Sequence, residues 1–186
     1  MQPRIKDSYK NKILAGARGH VNDGPLSSML ATWMDGDDKM PNWLGLDRLT
    51  FRKLVRFQFP TLTMRKFRPA QRGVEVDRAV EWGDLKRYLL KNRAWKCASE
   101  VWIAEMISSA CMGQNHLWQD LGLQNRTELT ALMENNFPKM AKRNIHNMKW
   151  KKFIYRDLCQ MEGIYVCRSP SCEVCVDYDE CFGPEE

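Results

Sequence analysis

Ala94-Trp-Lys-Cys-Ala-Ser-Glu-Val-Trp-Ile-Ala-Glu-Met-Ile-Ser-Ser-Ala-Cys-Met112 is the most apolar stretch of the chain. At 3.6 residues per turn, Trp95, Ala98, Val101, Trp102, Met106 and Ile107 wrap most of a helix's circumference. Lys96 and Glu100 form its main polar strip, at the supportive i,i+4 spacing though in the weaker order. A helix that is apolar nearly all round must be surrounded by others, so this one is expected at the centre of the fold. Gly113 is its natural stop.

The neighbouring segments carry helical periods too. Asp77–Asn92 places Val80, Leu85, Tyr88 and Leu89 as a second apolar pattern. Asp47 is positioned to cap a helix reaching Phe59, with Leu46, Leu49, Leu54 and Phe57 near one face and Pro60 as its stop. Leu26–Met34 has helical spacing and ends in the loop signal Asp35-Gly36-Asp37-Asp38. Residues 1–25 are polar and punctuated by Gly16, Gly19, Gly24 and Pro25, with a short helix expected near Ser8–Ala15. Residues 60–76 are basic, hold Pro69 and Gly73, and read as a loop. Downstream, Asn125-Arg-Thr-Glu128 has the shape of a capping box ahead of Leu129, Leu132 and Met133, and Pro138 interrupts or restarts that helix.

Met148–Met161 is strongly amphipathic. Trp150, Phe153, Ile154, Leu158 and Met161 share one face, and Lys149, Lys152 and Arg156 the opposite one. Gly163 ends it, and Ile164-Tyr165-Val166 leads into a cysteine-rich tail. No period-2 alternation is long enough for a sheet. The expected fold is therefore all-α: a helical bundle with an irregular C-terminal metal loop. Its expected parts are a partly flexible N-terminal segment 1–25, a helical domain 26–163 and a cluster-binding segment 164–186. A loose internal repeat runs through the bundle. Leu44-Gly45-Leu46, a helix and Phe59-Pro60 recur as Leu121-Gly122-Leu123, a helix and Phe137-Pro138. Trp82…Leu85…Tyr88 and Trp150…Phe153 follow the two copies.

The chain's 186 residues suffice to bury a core without staples. No stretch approaches the roughly 20 apolar residues that span a bilayer, and the first residues lack a secretory apolar region. A cytosolic protein with reduced thiols is expected, which favours metal over disulfide at the tail. Net charge is +6, unevenly placed. Lys139, Lys142, Arg143, Lys149, Lys151, Lys152 and Arg156 form a run with no acid among them. The segment after it is acidic, an arrangement that argues against a phosphate-tracking nucleic-acid surface. The run reads either as a solvated face or as a docking surface.

Cys167, Cys172, Cys175 and Cys181 are spaced C-x4-C-x2-C-x5-C in a short polar segment that cannot bury a core. Structural zinc usually takes two Cys-x2-Cys knuckles, and only Cys172-x2-Cys175 is one. The opening C-x4-C-x2-C matches plant-type iron–sulfur spacing. Spacing favours an iron–sulfur centre and leaves zinc open. Pro170 and Ser171 help the loop turn, while Glu173, Asp177, Asp179 and Glu180 would lower a cluster's potential if close. Cys97 and Cys111 read as small buried hydrophobes, Cys159 as a bystander, and His20, His116 and His146 as ordinary polar positions. No nucleophile–base pair or phosphate loop is present, so no catalytic activity is expected.

These cysteines with Pro170-Ser171, preceded by Met148-Lys-Trp-Lys-Lys-Phe-Ile-Tyr-Arg-Asp-Leu-Cys159 and His116-Leu-Trp-Gln-Asp-Leu-Gly-Leu123, resemble the NifQ family of nitrogen fixation. The similarity runs over most of residues 15–59 and 94–184. It implies a non-enzymatic iron–sulfur/molybdenum carrier for assembly of nitrogenase's iron–molybdenum cofactor. The implied cargo is a molybdenum–iron–sulfur cluster of [Mo-3Fe-4S] type or its [3Fe-4S] precursor, held by Cys167, Cys172, Cys175 and Cys181. Implied partners are the scaffold NifEN, the iron protein NifH, and molybdate or another molybdenum supplier, with no nucleic acid and no membrane. The rival readings are a small iron–sulfur electron-transfer protein and a zinc-ordered module that binds nucleic acid or protein.

Overall fold

A computed structural model of the chain describes residues 5–36, 41–63 and 80–161. Among these residues the regular elements are helical and no strand occurs, so the fold is all-α. The helices are α1 (Ile5–Leu14), α2 (Asp23–Met34), α3 (Arg48–Gln58), α4 (Val80–Lys91), α5 (Ser99–Cys111), α6 (Leu117–Asp120), α7 (Arg126–Asn136), α8 (Pro138–Ala141) and α9 (Trp150–Met161). A 3-10 turn, Asn42–Gly45, precedes α3.

α5 is the hub, touching α3, α4, α6 and the 3-10 turn. Every residue from Ile103 to Cys111 is buried. Two serines survive there because their hydroxyls donate backwards, Ser108 to the Ala104 carbonyl at 2.8 Å and Ser109 to that of Glu105 at 3.1 Å. The expected central helix is therefore present, but it starts at Ser99 rather than at residue 94. Glu100 is the reason. Its carboxylate turns back and accepts the backbone N–H groups of Trp95, Lys96 and Cys97 at 2.8, 2.7 and 3.0 Å. A buried carboxylate that binds three amides at the positive end of a helix outcompetes the i,i+4 pairing with the Lys96 side chain. Trp95 is consequently left outside the helix, at φ 63° and 73% exposed.

Four other expectations shift. α1 spans Ile5–Leu14, and α2 begins at Asp23 instead of Leu26. Gly24 and Pro25 sit in α2's first turn, where a missing proline N–H costs nothing because that group has no helical acceptor. In α3 the inward face is Phe51, Leu54, Val55 and Gln58, and Leu49 is 69% exposed. In α9, Asp157 takes an inward position and Met161 is 57% exposed.

The loose repeat is a repeat of structure. Leu44 and Leu46 are buried as Leu121 and Leu123 are, and the glycine between each pair has positive φ, 80° at Gly45 and 68° at Gly122. An acceptor side chain caps each following helix. Asp47 takes the Leu49 and Thr50 amides, and Asn125 takes that of Glu128. The inward faces are in register: Phe51, Leu54, Val55 and Gln58 against Leu129, Leu132, Met133 and Asn136. Phe59 and Phe137 close the two helices with nearly the same backbone, φ/ψ −131°/70° and −132°/53°.

Adjacent residues at the start of α2 tie the two copies together. Gln58 donates to Asp23 at 2.5 Å. Asn136 and Asn22 exchange side-chain hydrogen bonds of 2.7 and 2.8 Å, and Asn22 also donates to Ser99 on α5 at 2.9 Å. All these side chains are buried, so the polar junction is stable only if each partner is in place, which makes the packing of the two halves specific.

Candidate metal centre

Cys167, Cys172, Cys175 and Cys181 lie outside the described residues, as do the acids Glu173, Asp177, Asp179 and Glu180. What the structure shows is the helix that delivers them. α9 buries Trp150, Phe153 and Ile154 against the bundle. The Trp150 indole N–H donates to Thr130 on α7 at 3.0 Å, and the Trp150 and Phe153 rings meet edge to face at 5.7 Å.

Near the C-terminal end of α9, Asp157 is the anchor. Its carboxylate accepts from Arg143 Nε at 3.0 Å and Nη2 at 2.5 Å, and from the Tyr88 hydroxyl of α4. Arg143 also donates to the Asn92 side chain at 3.2 Å and to the Lys139 carbonyl at 2.9 Å. Burial, then the bond to Asp157, hold the Tyr88 phenol far above its usual range, so it stays a neutral donor. The hydrogen bond to Asp157 likewise pushes Arg143 up, so the guanidinium stays charged. The last described residue of α9, Met161, is thus the end of a helix held on three sides.

The remaining thiols behave as side chains of the fold. Cys111 is buried, and burial pushes its thiol up to about 12, which keeps it protonated and a poor metal ligand. Cys97 is half-buried with its sulfur 3.1 Å from the Ser99 hydroxyl, and Cys159 is half-buried on α9. His20 stacks on Phe57 at 5.1 Å. His146 is exposed, and His116 stands at the start of α6. Among the described residues no group of three or more His, Cys, Asp or Glu side chains could hold a metal. No helix among them is long and apolar enough to cross a membrane.

The lysine-rich run is partly neutralised by acids from distant segments. Arg143 pairs with Asp157, and Lys151 pairs with Asp120 of α6 while donating to the Gly113 carbonyl at 2.9 Å. Lys149, Lys151 and Lys152 of the run help build a feature absent from the sequence reading. A cleft of about 500 Å³ opens between the α5–α6 turn and the first turn of α9. Its polar lining includes Asn115, His116, Gln119, Lys149, Lys151 and Lys152. The lysines were legible as a charged run, but their facing wall comes from residues 113–119, which no local pattern connects to them.

A protein-family model described as NifQ matches residues 25–183, a span that includes all four tail cysteines. The chain is 39% identical over 170 residues to Protein NifQ of Azotobacter vinelandii, covering 86% of this chain and 87% of that one. It is 34% identical over 142 residues to the NifQ homolog of Sinorhizobium fredii, covering 76% and 61% respectively. Over 81 residues it is 48% identical to Protein NifQ of Klebsiella pneumoniae, covering 43% and 48%. No solved structure matches the chain. A family-model match over most of the sequence, together with a relative 39% identical over 86% of it, shows that the chain belongs to the NifQ family, proteins of nitrogen fixation.

Proposed function

We propose that this protein is a non-catalytic carrier that delivers molybdenum for assembly of nitrogenase's iron–molybdenum cofactor. Its cargo is a molybdenum–iron–sulfur cluster, or the [3Fe-4S] precursor of one, held by Cys167, Cys172, Cys175 and Cys181. The observation that carries the reading is the C-x4-C-x2-C-x5-C segment inside the family match, attached to a pinned helix. Four thiolates are the donor set that suits iron–sulfur chemistry, and soft sulfur ligands also suit molybdenum. In this reading three thiolates hold irons, and the fourth cysteine either caps molybdenum or stays labile, the labile case being the one that makes release possible. The scaffold NifEN and the iron protein NifH are the proposed recipients, in a cytoplasmic setting that keeps thiols reduced.

The test is anaerobic purification from molybdate-fed cells, followed by metal analysis and an optical spectrum. Iron together with molybdenum is expected, and Cys→Ala at any of the four positions should lower one or both. Unchanged metal content in all four variants refutes the assignment. Iron without molybdenum, with reversible redox, would identify an electron-transfer protein. A colourless zinc protein would identify a binding module.

A further inference from the structure

We propose that the cleft at the start of α9 is a binding site for a doubly charged tetrahedral oxoanion, formed by Lys149, Lys152, His116, Asn115 and Gln119. Lys149 and Lys152 line it, and no carboxylate among the described residues pairs with either. Lys149 is half-buried and no carboxylate among the described residues faces it as a counter-charge. Lys151, on the same wall, is held by Asp120 and the Gly113 carbonyl, which fixes the wall's shape. Asp120 is itself engaged from the other side by Asn115, through Nδ2 at 2.9 Å and the backbone N–H at 3.2 Å.

The helix adds a second argument. α9 has no acidic residue in its first turn and carries Lys151 and Lys152 there, directly after Lys149. Cations at the positive end of a helix dipole oppose helix formation, because aligned peptide dipoles and free N–H groups favour negative charge at that end. A bound dianion removes this conflict: it accepts from the free amides and neutralises both lysines. The Gln119 side chain, whose oxygen accepts from the His116 N–H, retains its amide N–H groups as further donors in the cleft lining. α9 is about 18 Å long at 1.5 Å per residue, so the cleft lies at the opposite end of the helix from the attachment of the cysteine segment.

Choosing molybdate as the natural ion rests on the proposed function; the anion site itself does not. Isothermal titration of the full chain at fixed ionic strength, with molybdate, tungstate, sulfate and phosphate in turn, reads the cleft directly. One dianion per chain is expected, with affinity at least tenfold weaker in Lys149→Gln/Lys152→Gln. That variant should melt no lower than the wild type, because two adverse charges leave the helix start. If it fails to fold, Lys152→Gln alone, at an exposed position, carries the test with an expected loss of at least threefold. Cys167→Ala/Cys172→Ala should keep the oxoanion affinity within twofold even where cluster metal is lost. This separates failure of the cleft from failure of the carrier reading. Preference for molybdate and tungstate over phosphate identifies a molybdenum source, and equal binding of phosphate identifies a phosphate-class ligand at the same site. No dianion binding by the wild type, or affinity unchanged by the lysine variants, overturns the proposal.

Discussion

Removing the two partners of the Arg143–Asp157 pair should have unequal consequences, and the inequality can be worked from their exposure. The Asp157 side chain is 8% exposed and that of Arg143 is 38% exposed. In Asp157→Asn, charged hydrogen bonds from Arg143 and Tyr88 become neutral ones or are lost. Bonds to charged groups are each worth ~1.5–3 kcal/mol against ~0.5–1.5 for neutral ones. Arg143 can turn into solvent, so its half of the loss is screened, and a net cost of about 2 kcal/mol is expected. In Arg143→Ala the carboxylate stays buried with only the Tyr88 hydroxyl. Stranding a buried charge costs roughly 3–5 kcal/mol, and we expect the lower end, about 3 kcal/mol, because Tyr88 remains. For a chain of this length the melting point should fall roughly 4–8 °C and 6–12 °C respectively, at ~2–4 °C per kcal/mol. Urea unfolding at pH 7, followed by tryptophan fluorescence and circular dichroism, measures both. The double variant should cost less than the sum of the two, because the stranded charge is gone. A larger loss in Asp157→Asn than in Arg143→Ala, or losses within about 0.5 kcal/mol of zero in both, refutes the anchoring role.

Two further outcomes follow from the fold. Gly45→Ala forces a side chain onto φ 80° and sets a Cβ 2.4 Å from that of Ser109, so a loss of about 2–4 kcal/mol is expected in the same urea assay. Adding Ser109→Gly relieves the clash but leaves the strain and also removes the hydroxyl that accepts from the Trp82 indole and donates to the Gly45 carbonyl, so wild-type stability should not return. Asp47→Ala removes the acceptor for the Leu49 and Thr50 amides and should cost about 1 kcal/mol at pH 7, read as a shift in the urea midpoint. The Thr50 hydroxyl, then the backbone amides, hold the Asp47 carboxyl below its usual range. A depressed folded value means the cap's contribution is full above the unfolded value of about 3.9 and disappears as pH falls through the folded one. The gap between wild type and variant should therefore close below about pH 4, which urea midpoints across pH 3–7 would show.

Much of the architecture was legible because its causes are local. Helical period exposes α3, α5, α7 and α9, and the Asp47 and Asn125 caps act on amides two or three residues away. The Leu-Gly-Leu and Phe-Pro copies were readable because the same turn and closure need the same residue types. Where the reading failed, a longer-range partner had won. The helix expected from residue 94 yields at Glu100, whose carboxylate prefers three amides to an ion pair. The expected apolar face of α9 includes a buried acid because Arg143 and Tyr88 arrive from other elements. By itself the sequence determined the longer helices, the internal repeat and the cysteine spacing of the tail, since each depends on residues a few positions apart. Only the tertiary structure decided how Asn22 and Asp23 join the two halves, that Lys151 is neutralised by Asp120 and that Lys149 and Lys152 line a cleft, because those outcomes depend on groups that only packing brings together.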